Sequence, residues 1–494
     1  MTSPTAPSTA RIYFTDFFKV SEDNLKRYGA FNVSCVVDLP LFIDPFLLFT
    51  SRKSDYQKLH EQIIGYLRFL RDKSAAGQID EGLLKAWYSF HEVSQNRLGF
   101  CESGSRGSGL GLGFASALNE NLHKIFSDFG EEKVTKGSHL EKLVLIKEGV
   151  GRDNISDFTT NLIKGYLLGY TEKFAVKHIA PEKLREVMVP RVRFNYEVEV
   201  WEDGKYTLPW LHDDYVLLTP EDMLTQDDTW INKEDLRLDF SHIREAIDND
   251  APRAQINEYF RRMLPRLYTK KEERQAVEKT LLQFPALIDY YIREKEEHGD
   301  EAVRRAAERV SEVRSRFVYN PAPFVHILST KSKFYELAGT TLEETKRKIE
   351  FLKHIIENQD GYRIFYLNKE PIQRESDLHI LFKLVWEGSP SSVDPEVNAG
   401  RGPVDFKISR GAYDKTLVEF KLASNPQLER NLENQVSIYE KAHQTTQSYK
   451  VILFFSAREE VKVKKILQRL KAPQGAGIIL IDATRDNKPS ASKA

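Results

Sequence analysis

Residues 400–439 read GRGPVDFKISRGAYDKTLVEFKLASNPQLERNLENQVSIY, and their pattern sets the expected fold of everything around them. Two short apolar runs, PVDFKI (403–408) and TLVEFKLA (416–423), flank a glycine-bearing turn and precede a segment with helical character. Strand alternation puts Val418, Phe420 and Leu422 on one face and Glu419 and Lys421 on the other. Asp405 points away from Val404 and Phe406, so pairing of the two runs brings Asp405, Glu419 and Lys421 onto one face. Two carboxylates held that close repel unless a divalent cation lies between them, and hard oxygen ligands select Mg²⁺ or Mn²⁺. The Lys421 ammonium can orient water and offset charge developing on a phosphate, while a metal supplies Lewis acidity and a more acidic bound water. These are the requirements of phosphodiester hydrolysis.

Working outward, PIQRESDLHILFKLVWEG (371–388) reads as a helix with Leu378, Leu381, Phe382 and Val385 on its buried side, and 389–400 as a Pro/Ser/Gly-rich loop. Downstream come the helix around Gln435, the strand YKVILFFSA (449–457), the helix REEVKVKKILQRL (458–470) and the strand AGIILIDA (476–483). Helix, strand, strand, helix, strand, helix, strand predicts a layered α/β unit with a mixed sheet.

This arrangement resembles the PD-(D/E)xK nuclease superfamily, the restriction-endonuclease-like fold. The matching residues are Pro403-Val404-Asp405 for the first acid and Glu419-Phe420-Lys421 for the E-x-K, with 13 residues between the two acids and Val404 separating proline from aspartate. The resemblance spans roughly a quarter of the chain, from Pro371 to Asp482. It implies that Asp405 and Glu419 are metal ligands and Lys421 the catalytic lysine. Glu375 matches the acid that many members contribute from the preceding helix, with Asp377 as its rival and His379 one turn away. Gln435 and Tyr439 fit a Q-x-x-x-Y signature, and at a spacing of four they share a helix face. The implied activity is Mg²⁺- or Mn²⁺-dependent cleavage of nucleic acid, with DNA favoured over RNA because no RNA-recognition signature with interleaved aromatics is present. A catalytically idle binding or scaffold protein on the same fold is the alternative.

Composition constrains the remainder. The 494-residue chain is 41% hydrophobic and 29% charged, ordinary for globular domains, and long enough for two to four of them. The net charge of −1 counts against whole-surface nucleic-acid binding, so a basic footprint must be local. Lys462, Lys464, Lys465, Arg469 and Lys471 on the terminal helix, Arg401 and Lys407 beside Asp405, and Arg430 are its candidates. Two cysteines, Cys35 and Cys101, form neither a disulfide framework nor a four-ligand zinc site, and both are expected as buried thiols. The start MTSPTAPSTA lacks the features of a secretory signal, and no run approaches the roughly 18 apolar residues of a membrane span. A soluble cytoplasmic protein with no small-molecule cofactor is expected.

Five segments are predicted: a disordered tail (1–10), an N-terminal α+β domain (11–234), a mainly helical region (235–370), the nuclease-like unit (371–483) and a disordered tail (484–494). In the first domain, Asp38 and Asp44 read as turn and cap carboxylates, with metal ligation as the alternative, and residues 56–72 as an amphipathic helix. The glycine-rich stretch 100–114 reads as a loop before a helix at 115–126, with phosphate or nucleic-acid contact as the alternative, since it lacks the Lys-Ser/Thr ending of a P-loop. Leu143 begins an apolar strand, which leads into a helix capped by Ser156-Asp157 or begun by Asp153. Asp203-Gly204 marks a hairpin turn within 191–211. Thr340 caps a helix ending near Gln359, and GYRIFY (361–366) reads as a strand. By architectural analogy with restriction and anti-phage enzymes, the N-terminal residues sense or assemble, as a homo-oligomer or with a partner protein.

Overall fold

The computed structural model describes residues 11–488 apart from 78, 100–109, 112–114, 117, 120–121, 123–128, 130–131, 147–151, 227–228, 248, 332–338, 387–390, 399–402, 411–413, 434–446 and 471–476. Within them the chain is mixed α and β, with its largest sheet, five-stranded, in the C-terminal part. Among the described residues no helix is long and apolar enough to cross a membrane.

In the first 230 residues, helix α1 (Ser54–Ala76), helix α2 (Arg152–Leu162) and helix α3 (Lys164–His178) pack around an aromatic-rich core with the hairpin of β1 (Leu184–Asn195) and β2 (Val200–Leu211). The hairpin turn lies at 196–199, not at Asp203-Gly204, which sits inside β2. The Asp-Gly pair serves a β-bulge instead. The register shifts between Val189 and Arg193, Arg191 adopts φ 56°, and its N–H donates to Asp203 Oδ1 at 3.0 Å. A Cβ on Gly204 would lie 2.7 Å from the Tyr206 ring. The strand expected at Leu143 is a helix, Lys142–Ile146. Ser156 is not a cap, for its hydroxyl lies within α2 and accepts from Ile43 N at 2.9 Å. Asp44 does cap, accepting from Phe46 N at 3.0 Å and from Trp230 N at 2.8 Å. Cys35 is buried; Cys101 and most of the glycine-rich stretch lie outside the described residues.

Residues 233–331 are helical, with a separate apolar cluster around Phe240, Leu281 and Tyr291. The sheet's covering layer begins earlier than the expected start at Pro371. Helix α4 (Thr341–Asn358) starts with a reciprocal cap, Glu343 N to Thr340 Oγ1 and Thr340 N to Glu343 Oε2, and packs on the sheet. Thr341 ties that end to Asp414 (Oγ1 to Oδ1, 2.6 Å), and Lys353 Nζ ties the other to Leu480 O (2.5 Å). The expected strand at 361–366 is a 3₁₀ turn, Asp360–Phe365, followed by a two-residue strand.

Helix α5 (Glu375–Trp386) precedes strand β3 (Ser392–Asn398), β4 (Pro403–Arg410), β5 (Asp414–Leu422) and β6 (Ser448–Phe454); helix α6 (Ala457–Arg469) and strand β7 (Ile478–Asp482) complete the unit. The sheet order is β7-β6-β5-β4-β3, parallel at β7/β6 and β6/β5 and antiparallel elsewhere. The mixed sheet matches expectation, whereas β3 replaces an expected loop. Its Pro395 is tolerated because β3 is an edge strand, where a missing N–H need not break a ladder. The four apolar residues predicted for the buried side of α5 are buried, and Phe382 stacks on Phe420 with centroids 3.7 Å apart. The predicted C-terminal tail is partly ordered: Arg485 N donates to Tyr366 Oη at 3.0 Å and Lys488 Nζ to Asp482 O at 2.9 Å.

Candidate active site

Strand β5 loses its β4 partner halfway along while staying paired with β6, and the site forms at that point. The β4–β5 ladder ends at Val418 and Phe406. Beyond it the backbone groups of β5 are taken up by side chains. Phe420 N donates to Asp405 Oδ2 (2.6 Å), His379 Nε2 reaches Phe420 O (3.3 Å), and Leu422 N donates to Glu375 Oε1 (3.1 Å). Splaying of the two strands therefore aims the carboxylates, and α5 delivers Glu375 and His379 because Phe382 clamps it onto Phe420.

The charges converge as the sequence pattern requires. Lys421 Nζ lies 3.6 Å from both Asp405 Oδ1 and Glu375 Oε2, and His379 Nε2 lies 3.1 Å from Asp405 Oδ2. Continuing the β4–β5 register places Glu419 beside Asp405, and across β6 it faces Lys450. Asp405, Glu419 and Lys421 are all buried. Burial opposes the Asp405 charge, yet His379 and then Lys421 outweigh it and hold the carboxyl below its usual range. Burial likewise opposes the charges on Lys421 and His379, and the surrounding carboxylates raise both. Glu419 differs. Burial, reinforced by the Asp405 charge, pushes it up to about 7 despite Lys421 and Lys450. It is 6% exposed and, among the described residues, its carboxylate has no hydrogen bond or ion pair.

The two candidate helix acids separate. Glu375 faces Lys421 and is held by Asn425 Nδ2 at 2.8 Å, whereas Asp377 is buried in an ion pair with Arg316. Among the described residues no three His, Cys, Asp or Glu side chains form a ready-made metal-ligand group. Lys421 and His379 stand against the acids instead. Gln435, Tyr439, Arg401 and Lys471 lie outside the described residues.

Much of the expected basic footprint is engaged elsewhere. Lys462 Nζ donates to Ala423 O (2.7 Å) and Asn425 O (2.9 Å), closing the turn after β5. Lys464 pairs with Glu460 at 2.5 Å and Arg469 with Glu429 at 2.7 Å. Lys407 lies on β4 opposite Asp394, and Lys465 and Arg430 are exposed.

Three residues escaped the sequence reading in these roles. His379 was visible only by its spacing from Glu375. Lys450 had one signal, a lysine inside the apolar run YKVILFF, and Asn425 had none beyond its place before Pro426.

Residues 19–232 match a family described as a domain of unknown function (DUF8370), and residues 341–457 match a second domain of unknown function (DUF8371). The second match begins at the first residue of α4 and takes in Glu375, Asp405, Glu419 and Lys421. No curated protein and no solved structure matches the chain.

Proposed function

We propose that the C-terminal unit is a divalent-metal-dependent nuclease of the PD-(D/E)xK type, acting on DNA. The observation that carries this reading is the Glu419 carboxylate, buried without a hydrogen-bond partner among the described residues, beside Asp405 and on the same strand face as Lys421. A carboxylate kept from water and left unbonded is costly unless a cation meets it. Asp405 and Glu419 would hold the metal, with Glu375 at the margin, and hard oxygen donors fit Mg²⁺ or Mn²⁺. Such an ion supplies Lewis acidity toward a phosphoryl oxygen and a more acidic bound water.

The protein's own groups have distinct tasks. The Phe420 N–H fixes the rotation of the Asp405 carboxylate, and Leu422 N with Asn425 fixes Glu375. Lys421, held protonated by three carboxylates, is placed to bind a phosphate oxygen and to offset charge as the bond to the leaving oxygen breaks. His379 orients Asp405 from the α5 side. By analogy of architecture, the preceding residues restrain or direct the site in a restriction or defence setting.

The test is cleavage of supercoiled plasmid with Mg²⁺ or Mn²⁺, with Glu419→Ala and Lys421→Ala as controls. Metal-dependent nicking by the wild type alone supports the assignment; equal cleavage by all three proteins defeats it. One observation favours a second reading, an idle nuclease fold: Lys421 and His379 already neutralise Asp405. Calorimetric titration with Mn²⁺ separates the two, since an idle site shows no binding dependent on Asp405 and Glu419.

A further inference from the structure

Far from Glu419 in sequence, the N-terminal unit carries a cavity of about 530 Å³, within the range of small-molecule sites. Its walls include four tyrosines, Tyr28, Tyr56, Tyr166 and Tyr170, from three separate parts of the chain. The rings are contiguous. Tyr28 and Tyr170 lie 4.5 Å apart, Tyr170 and Tyr166 stack at 6.1 Å and 19°, and Tyr166 meets Tyr56 edge-on at 6.1 Å. Three hydroxyls are already engaged: Tyr28 Oη donates to Tyr170 O, Tyr170 Oη to Tyr28 O, and Tyr56 Oη to Asp222 Oδ1. What remains for a ligand is mostly the part-exposed rings of Tyr28, Tyr166 and Tyr170, since Tyr56 is buried, and an aromatic face attracts cations.

The charges agree with the rings. Asp55, Glu221 and Asp222 line the cavity against one cation, Lys53. Glu221 is paired with Arg314 from outside, and Lys53 with Asp222 at 2.5 Å, while Asp55, exposed in the first turn of α1, has no ion pair among the described residues. Burial first, and then neighbouring tyrosines and carboxylates, raise the Tyr170 hydroxyl, as expected in a negative field. The Lys53 ammonium itself sits 4.5 Å from the centre of the Tyr56 ring. The protein thus already places an alkylammonium between a tyrosine ring and a carboxylate here. Both members of that pair are at least half exposed, so the contact contributes little and is readily exchanged.

We propose that this cavity binds an alkylammonium group, which takes the position of the Lys53 ammonium against the tyrosines and Asp222. The group belongs either to a free polyamine or to a lysine side chain of a peptide. Phosphate-bearing ligands are disfavoured, because the one lysine of the lining is paired with Asp222, Arg314 is paired with Glu221, and Asp55 adds a further negative charge. The site is independent of whether the C-terminal unit cleaves DNA.

The experiment is calorimetric titration of the full chain at fixed ionic strength with tetramethylammonium, spermidine, N-acetyl-lysine methylamide and ATP. Saturable binding of the cations, and not of ATP, is expected. Tighter binding of spermidine assigns a free polyamine, and tighter binding of the lysine amide a peptide. Removing the resident ammonium with Lys53→Met tightens binding about two- to fivefold, Tyr166→Leu weakens it by a similar factor, and Tyr166→Phe keeps it. Lys53 and Asp55 are exposed, so Lys53→Met and Asp55→Asn, which also weakens binding, test the site without burdening the fold. No saturable cation binding, weaker binding in Lys53→Met, unchanged binding in Tyr166→Leu, or preference for ATP each overturns the proposal.

Discussion

Two buried glutamates in this molecule share a predicament and differ in its resolution. Glu419 on β5 and Glu141 before the short helix Lys142–Ile146 are both buried, and among the described residues no side chain hydrogen-bonds either carboxylate. Each lies beside an aspartate, Asp405 and Asp44 respectively, and burial raises each, to about 7 and about 8. Glu141 is fully enclosed at 0% exposure. The nearby cations are committed: Lys142 pairs with Asp289 at 2.7 Å and with Glu132 at 3.3 Å, and His139 lies 2.9 Å from Glu296. Glu419 keeps slight access and has Lys421 and Lys450 among its neighbours, beside the partly exposed Glu375 and His379. A sealed acid is relieved by a proton, while an acid with access and a second carboxylate can be relieved by a divalent cation. The same desolvation therefore has two outlets, a proton at Glu141 and, under the proposed function, a metal ion at Glu419.

The sharpest way to break this contrast is to neutralise each acid in turn. Glu419→Gln is expected to lower metal-dependent plasmid cleavage by at least about a hundredfold, since even outer partners of a metal site cost ten- to a hundredfold. Glu141→Gln should leave cleavage unchanged. The same pair separates in thermal melts, where saturating Mn²⁺ stabilises wild type and Glu141→Gln by about 2.7 kcal/mol at a hundred times the dissociation constant, but not Glu419→Gln. Equal loss of cleavage in both variants would sink the distinction.

The next effect lies on the stability of the sealed acid. With its folded pKa raised to about 8 from 4.5, Glu141 binds its proton more tightly in the folded state. Its favourable contribution is full below about pH 4.5, declines as pH rises, and is gone above about pH 8. Asp44, raised to about 6, titrates in the same sense. Between pH 5.5 and 8.5, denaturant melts of wild type should lose on the order of a few kcal/mol relative to Glu141→Gln. Buried His60 and His139, both lowered by burial, change in the opposite sense over this window, so the difference between the two proteins is the readout, and identical pH profiles for wild type and Glu141→Gln contradict the enclosed-proton account.

How much of this was legible beforehand depends on the range of the interactions. Alternation in TLVEFKLA is local, and it placed Glu419 and Lys421 on one face and Phe420 on the other, as the stacking of Phe420 on Phe382 from α5 bears out. The reciprocal cap at Thr340 and Glu343 was equally readable, since both partners lie within one turn. Errors arose where a tertiary partner overrode the local signal. Asp203-Gly204 looked like a turn, but Asp203 serves the bulge at Arg191, twelve residues away. Residues 392–398 looked like a loop, but β4 offered them an edge to pair with. The choice between Glu375 and Asp377 could not be read locally, because Arg316, which takes Asp377, lies some sixty residues upstream. Glu141 gave no signal at all: enclosure is a property of the whole fold.

The contrast between committed and available groups extends to the lysines of α6, where the smallest effects are expected. Lys462 Nζ bonds two carbonyl oxygens after β5, so Lys462→Met should destabilise the unit by about 1–3 kcal/mol through the acceptors left without a donor. If its ammonium never meets a phosphate, the salt dependence of DNA affinity stays at the wild-type slope. Lys465, three residues on and exposed, is free to neutralise a phosphate. Lys465→Ala should leave stability within about 0.5 kcal/mol of wild type. If DNA crosses this helix, it should also reduce the slope of log affinity against log salt by about 0.9, the value for one phosphate contact. Filter-binding titrations between about 50 and 200 mM salt distinguish the two lysines. A slope unchanged in Lys465→Ala but reduced in Lys462→Met would mean that the turn after β5 opens when DNA binds. The carbonyl contacts of Lys462 would then belong to the resting state alone.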